Sequence, residues 1–234
     1  MSGGMYLAAA GALVQQMRLA LLANNVANIN TIGYKGEKTV FRIVQDPPAQ
    51  SPQPSSILTQ PLSPYAPPFS AITDFSQGAI RSTGNPLDVA IDGEGFFSVR
   101  TPQGVQYTRQ GSFNLDDRGV LVTRDGYPVL GEGGEITLEE GSVEIDMQGN
   151  VYLDGDEVGR LRISAFPNDS SLKKTGNGRF AVSDQTARLN RPENTLLRQG
   201  HLELANVNPV RAMTEMIEVS RAFEAYQKVI HSAD

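Results

Sequence analysis

The sequence predicts an α+β chain. N- and C-terminal helices pair in a coiled-coil-like terminal domain, and an all-β central domain, sandwich-like or an irregular barrel, lies between them. Three observations predict this. Apolar residues recur at helical spacing at both ends of the 234-residue chain. From Thr73 to Arg198, short apolar runs alternate with turn signals spaced roughly ten residues apart. A stretch crowded with proline separates the first helix from the β domain. The expected divisions are residues 1–35 for the first helix and the segment after it, 36–72 for an extended connector, 73–200 for the β domain and 201–234 for the last helix.

Met5 to Ala27 reads as a helix. Tyr6, Leu13, Ala20 and Ala27 recur at intervals of seven, and Val14, Met17 and Leu21 widen the apolar face. Ala8, Ala9, Ala10, Ala12, Ala20 and Ala23 raise helix propensity and permit close helix approach. Such a helix is either an ordinary core helix or one strand of a coiled-coil-like bundle. It runs into Asn24, Asn25, Asn28 and Asn30, followed by Thr31 and Gly33. Asn favours caps and turns because its side chain competes for nearby backbone groups. The helix is therefore expected to end here, with Gly33 as its terminator.

Lys35 to Val44 suggests an extended segment. Asp46 to Phe69 then carries eight prolines mixed with Ser and Gln, which excludes a regular helix or a central strand. It reads as a plain linker or as a proline-type ligand.

In the β region, Leu87, Val89 and Ile91 alternate with Asp88, Ala90 and Asp92. Phe96 to Val99 and Val105 to Arg109 form a hairpin across Thr101-Pro102-Gln103-Gly104. Further turns are expected at Asp116-Asp117-Arg118-Gly119, Asp125-Gly126, Gln148-Gly149-Asn150 and Asp154-Gly155, with one long strand from Val158 to Phe166. Asn208 is a suitable N-cap and Pro209 suits the first turn of the last helix. On that helix Met216, Phe223 and Ile230 are spaced by seven, flanked by Val219 and Tyr226.

Composition removes several chemistries. The net charge is -6 with no clustered basic run, so no nucleic-acid partner is expected. With no cysteine there is no disulfide, thiolate metal site or thiol nucleophile. Gln15, Gln16 and Arg18 interrupt the apolar N-terminal stretch, which makes it a poor secretory signal and a poor membrane span. His201 and His231 lie on different elements, a poor stock for a zinc site or a hydrolytic triad. Asp88, Asp92 and Glu94 could pair as the acids of a cell-wall hydrolase, or form the wet face of a half-buried sheet. Asp116-Asp117 and Asp154-x-Asp156 lack the full ligand loop of a calcium site. No catalytic, cofactor or metal residue is expected.

Asn24, Asn25, Ala27, Asn28, Thr31, Gly33, Tyr34 and Lys35 together fill an Asn-Asn-x-Ala-Asn-x-x-Thr-x-Gly-aromatic-basic pattern. This segment resembles the signature of the flagellar rod and hook axial proteins. The resemblance continues through Gly84 to Ile91, Gly95-Phe96-Phe97 and Tyr107-Thr108-Arg109-x-Gly111-x-Phe113, and through the exit at Leu196 to Glu203. Gly126 to Gly131 with Gly134-Glu135-Ile136 is similar to the proximal-rod branch more than to the distal one.

The resemblance implies a structural, non-enzymatic axial subunit of the basal-body rod, taking part in flagellum-dependent motility. It would be exported from the cytoplasm by the flagellar export apparatus into a rod that spans the periplasm. Its partners would be copies of itself and other rod axial proteins in a helical tube, with no cofactor and no membrane insertion. A distal rod or hook subunit, a carboxylate-based hydrolase and a monomeric adhesion module are the rivals. The residues expected to carry packing and assembly are Leu13, Met17 and Leu21 against Met216, Phe223 and Ile230. Asn24, Asn25, Asn28, Thr31, Gly33 and Tyr34 form a joint. Neither helix can cover its apolar face alone, so both ends are expected to fray in a monomer and to order on assembly.

Overall fold

The computed structural model describes residues 3–41, 69–166, 172–182 and 195–232. Most of the proline-rich stretch, from 42 to 68, lies outside the described residues. The chain divides into two compact units. One joins Met1–Asn24, Glu37–Thr73 and Val210–Asp234; the other joins Asn25–Gly36 and Asp74–Pro209.

The first unit holds helix α1 (Gly3–Ala27), helix α2 (Pro209–Ser232) for most of their lengths, and an antiparallel hairpin of Glu37–Phe41 with Phe69–Thr73. The hairpin brackets the proline-rich residues and occupies ground expected to be plain connector. The helices meet where Gly11 leaves room for the Tyr226 ring: a Cβ at Gly11 would stand 2.6 Å from a ring carbon. Ala8 and Ala12 are buried on α1, and Ala212 and Val219 on α2. On α2 the line buried within the chain thus runs through Ala212, Val219 and towards Tyr226, while Met216, Phe223 and Ile230 are half-buried beside it. On α1 the seven-spaced residues Leu13, Ala20 and Ala27 are all exposed. Small side chains at Ala8, Gly11 and Ala12 allow close approach, which is why the buried face is the smaller-residued one.

The second unit is β throughout apart from the ends of the two helices. Its largest sheet has five antiparallel strands in the spatial order 163–164, 96–101, 104–108, 179–182, 172–176. Smaller two- and three-stranded sheets surround it, and no closed barrel forms among the described residues. Strand Phe96–Thr101 faces two cores. Phe97 and Val99 enter a cluster with Val89, Ile91, Phe113 and Leu121. Phe96 points to the other side, into an aromatic cluster with Tyr107, Phe166 and Phe180. Period-two alternation sends neighbouring side chains to opposite faces, and here both faces are dry.

The same double burial overturns the expectation of a wet face at Asp88, while Asp92 is half-exposed and Glu94 exposed as that reading expects. Val89, Ala90 and Ile91 are all fully buried, and Asp88 is buried too. The expected long strand 158–166 is also broken. Asp156–Arg160 pairs with Asn150–Leu153, whereas Ile163–Ser164 pairs with Phe96–Phe97. Leu161 turns inward between them and is buried in the first cluster, so the chain changes sheets there.

The expected turns form where the sequence places them. Asp154 and Gly155 both have positive φ (52° and 96°), the two-residue hairpin geometry that Asp-Gly favours. Two other turns are built alike. The Asp116 carboxylate accepts from the backbone N–H groups of Arg118 (2.9 Å) and Val120 (2.8 Å), and Gly119 donates to the Asp116 carbonyl. The Asp146 carboxylate accepts from Gln148 (2.9 Å) and Asn150 (2.8 Å), and Gly149 donates to the Asp146 carbonyl. These carboxylates serve as local backbone acceptors, the usual work of Asp in turns.

Candidate functional site

Helix α1 ends at Ala27, six residues before Gly33. It passes through Asn24 and Asn25, and single turns follow, with the Thr31 N–H donating to the Asn28 carbonyl (3.0 Å) and the Tyr34 N–H to the Thr31 carbonyl (3.3 Å). The Thr31 hydroxyl donates to the Asn28 side-chain oxygen at 3.2 Å. Gly33 is therefore not the helix terminator. Its φ of +64° and its surroundings give it another role. A Cβ there would lie 2.5 Å from the backbone carbon of Arg109, so the chain passes too close for any side chain. Its N–H donates to the Glu203 carbonyl at 2.8 Å.

From Gly33 to Gly36 the segment is buried in the β unit. The Tyr34 hydroxyl donates to the Asn25 side-chain oxygen (3.1 Å), a buried bond that ties the last helical turn to the segment beyond it. Lys174 lies over the Tyr34 ring at 4.9 Å and donates to the Lys35 carbonyl at 2.8 Å. Asn206 bridges: its oxygen accepts from the Gly36 N–H (2.7 Å) and its NH2 group donates to the carbonyls of Asp74 (2.7 Å) and Ser76 (3.0 Å).

The centre of the site is an ion cluster. Lys35 and Glu203 are each 1% exposed, and Arg109 is 4% exposed. Glu203 Oε1 accepts from Lys35 Nζ (2.7 Å) and from the Gly78 N–H (2.8 Å). Its Oε2 accepts from Arg109 Nη1 at 3.2 Å. Lys35 also donates to the Ser76 carbonyl (2.8 Å), and Arg109 to the Gly93 carbonyl (2.8 Å) while lying over the Phe96 ring. Burial holds the Lys35 ammonium below its ordinary pKa, opposed by Glu203 and reinforced by the like charge of Arg109. One buried carboxylate serves two buried cations drawn from distant parts of the chain.

Of the residues singled out in the sequence, Asn25, Gly33 and Tyr34 meet in this site, with Asn28 and Thr31 at its edge and Asn24 exposed on α1. Leu13 is 46% exposed; Met17 and Leu21 are half-buried. Glu203 as the partner of Lys35, Arg109 as the second cation on that carboxylate and Asn206 as the partner of Gly36 were not foreseen. Two of the three candidate hydrolytic acids are bonded within the fold, and Glu94 is exposed. Asp88 accepts from the Thr83 hydroxyl (2.7 Å) and the Asn85 amide (3.2 Å), and Asp92 pairs with Arg198 at 2.6 Å.

Three family signatures match this geometry region by region. Residues 5–35 match the flagella basal body rod protein family. Residues 90–153 match the flagellar hook protein FlgE/F/G D1 domain, and 198–234 the C-terminal part of the flagellar basal body rod FlgEFG proteins. Lys35, Arg109 and Glu203 fall one in each. Over the whole length, the chain is 34% identical to the flagellar basal-body rod protein FlgF of Caulobacter vibrioides, across 98% of this chain and 93% of that one. The chain belongs to the flagellar basal-body rod protein family. It is also 33% identical to the rod protein FlgG of Buchnera aphidicola subsp. Schizaphis graminum, over 98% of this chain and 95% of the relative. FlgG of Bacillus subtilis matches at 33% over 94% and 90%. As a rod-family protein it is a structural component of the flagellar basal body. No helix among its described residues is long and apolar enough to cross a membrane.

Proposed function

We propose that this rod-family chain is a proximal-rod-like axial subunit that polymerises helically through α1 and α2 and transmits torque. Its partners are copies of itself and other rod axial proteins, and the flagellar export apparatus delivers it from the cytoplasm. The proximal assignment is supported by Gly126 to Gly131 and Gly134 to Ile136. The polymerising role is supported by one observation above others. Large apolar side chains lie open on both helices: Leu13 on α1, and Val210, Met213, Ile217 and Val229 on α2, with Ile217 55% exposed. Exposed apolar stripes of this kind mark surfaces that other chains cover. Repetition of one heterologous contact gives a helical array. Leu13, Met17, Leu21, Met216, Phe223 and Ile230 belong to that packing in this reading, and the coiled-coil-like pairing is completed between copies. The role is non-enzymatic, in keeping with carboxylates at Asp88 and Asp92 already bonded within the fold.

The test is Ile217→Asp in the full chain, expressed in a strain lacking the wild-type protein. Basal bodies should lack the subunit and cells should not swim, while the purified variant keeps the wild-type circular dichroism. Normal incorporation of the variant into rods would overturn the assignment of this face to assembly.

A further inference from the structure

We propose that Glu203 is a folding latch: the segment Asn25–Gly36 docks onto the β unit only after strand His201–Glu203 has brought its carboxylate between Lys35 and Arg109. Nothing in this inference depends on rod assembly, since every residue involved lies in one unit of one chain.

The charges around the docked segment are Lys35, Arg109 and Lys174 on the positive side, with Glu203 and Asp74 opposing them. Glu203 is hydrogen-bonded to both buried cations; Asp74 adds a weaker attraction to Lys35. Docking the segment in the absence of Glu203 would bury Lys35 beside Arg109 with no carboxylate between them, and buried like charges are strongly disfavoured. Lys35 would then stay in water, and the backbone attached to it would stay undocked.

Backbone bonds point the same way. The Gly33 N–H needs the Glu203 carbonyl, and the Gly36 N–H needs the Asn206 side chain. The Asn206 N–H donates in turn to the Tyr34 carbonyl at 3.3 Å. Strand His201–Glu203, by contrast, finds its own pairing with Ile80–Ser82 and asks nothing of the N-terminal segment for its ladder. The dependence is therefore one-sided. The strand can add to its sheet first, and the segment cannot precede it. Lys35 and Glu203 are 168 residues apart in sequence, so the segment must wait for almost the whole chain.

Hydrogen exchange on the full chain tests this. In pulse-labelled refolding, the Gly33 and Gly36 amides should gain protection later than the Leu202 and Leu204 amides; protection arriving in the opposite order would overturn the latch. At equilibrium, Glu203→Gln should speed exchange in Asn25–Gly36 on the order of tenfold or more, and at Val99 and Val129 by no more than in that segment, since the core opens only with the whole unit. Adding Lys35→Met should restore part of the lost protection, because it removes one of the two cations that the carboxylate served and leaves Arg109 without it. Unchanged exchange in Glu203→Gln, or failure of the second substitution to restore protection, would overturn the charge basis of the latch. So would a larger loss of protection at Val99 and Val129 than in Asn25–Gly36, since Glu203 would then simply support the core.

Discussion

The two units of this chain satisfy their side chains in opposite ways. In the β unit, Phe97, Val99, Phe113 and Leu121 are enclosed, and buried charges such as Glu203 have partners on every side. In the helical unit, Ala8, Ala12, Ala212 and Val219 are the buried apolar residues, while Leu13, Met213 and Ile217 face outward. The β unit is finished within one polypeptide; the helical unit leaves large apolar side chains for something else to cover. A chain that must fold alone and then join others can assign those tasks to different segments. Here the division falls within α1, at Asn24 and Asn25.

Mutations can break or sharpen this contrast. Phe97→Ala should cost about 3–5 kcal/mol in urea unfolding of the β unit, from lost burial and the cavity left behind. Glu203→Gln should approach that, roughly 3–5 kcal/mol, because two cations lose their buried counter-ion. Lys35→Met should cost much less, since it leaves one balanced pair; equal losses from both changes would refute the unequal sharing of one carboxylate. Gly33→Ala should destabilise by about 1–3 kcal/mol through its positive φ and its approach to Arg109, again read from urea midpoints. Leu13→Asp should change the stability of the isolated chain by no more than about 0.5 kcal/mol. A large loss would mean that α1 is ordinary core.

Protonation offers a finer probe. The folded pKa of Lys35 lies below its ordinary 10.5, with burial the chief cause. The native state therefore releases this proton before the unfolded chain does. Between the lowered value and 10.5 the unfolded state binds more protons, so this group adds stability as pH rises. The stability of wild type relative to Lys35→Met should accordingly grow as pH is raised towards 10.5, measured by urea midpoints across that range. A difference that shrinks would show that pairing with Glu203 outweighs burial. In a dilute monomer, amides of α1 and α2 are expected to exchange faster than those of Phe97 or Leu121; slow exchange at the ends would remove the need for partners.

Much of this was readable from sequence, and the failures share a cause. Both helices, the Asp-Gly hairpins and most strands follow from local chemistry: periodicity, glycine in turns, and proline at the start of α2. What escaped was set by distant residues. Gly33 looks like a helix stop because Asn28 and Asn30 precede it, yet Arg109 dictates its geometry. Lys35 reads only as the basic end of the pattern and the start of an extended segment, but Glu203 lies beside it. Seven-residue spacing finds Leu13, Ala20 and Ala27 without saying which face turns inward; the small residues Ala8 and Gly11 decide that by allowing Tyr226 close. The cut that separates helix from β unit likewise belongs before Asn25 rather than after Lys35, because the signature segment is already part of the β unit.

The paired turns at Asp116 and Asp146 have one more consequence. Each closes its own ribbon with the same three backbone bonds to one aspartate, and each then offers its glycine carbonyl to another part of the chain, Gly119 to the Leu138 N–H and Gly149 to the Leu161 N–H, both at 2.8 Å. Their closing bonds are alike but their last residues are not: Val120 is buried, and Asn150 is half-buried with its side chain bonded to Asp146. Exchanging Asp116–Gly119 for Asp146–Gly149, with Val120 and Asn150 left in place, should give a molecule that melts close to the parent temperature, whereas transplanting Gly33–Gly36 to any other bend would carry none of the surroundings that make it work.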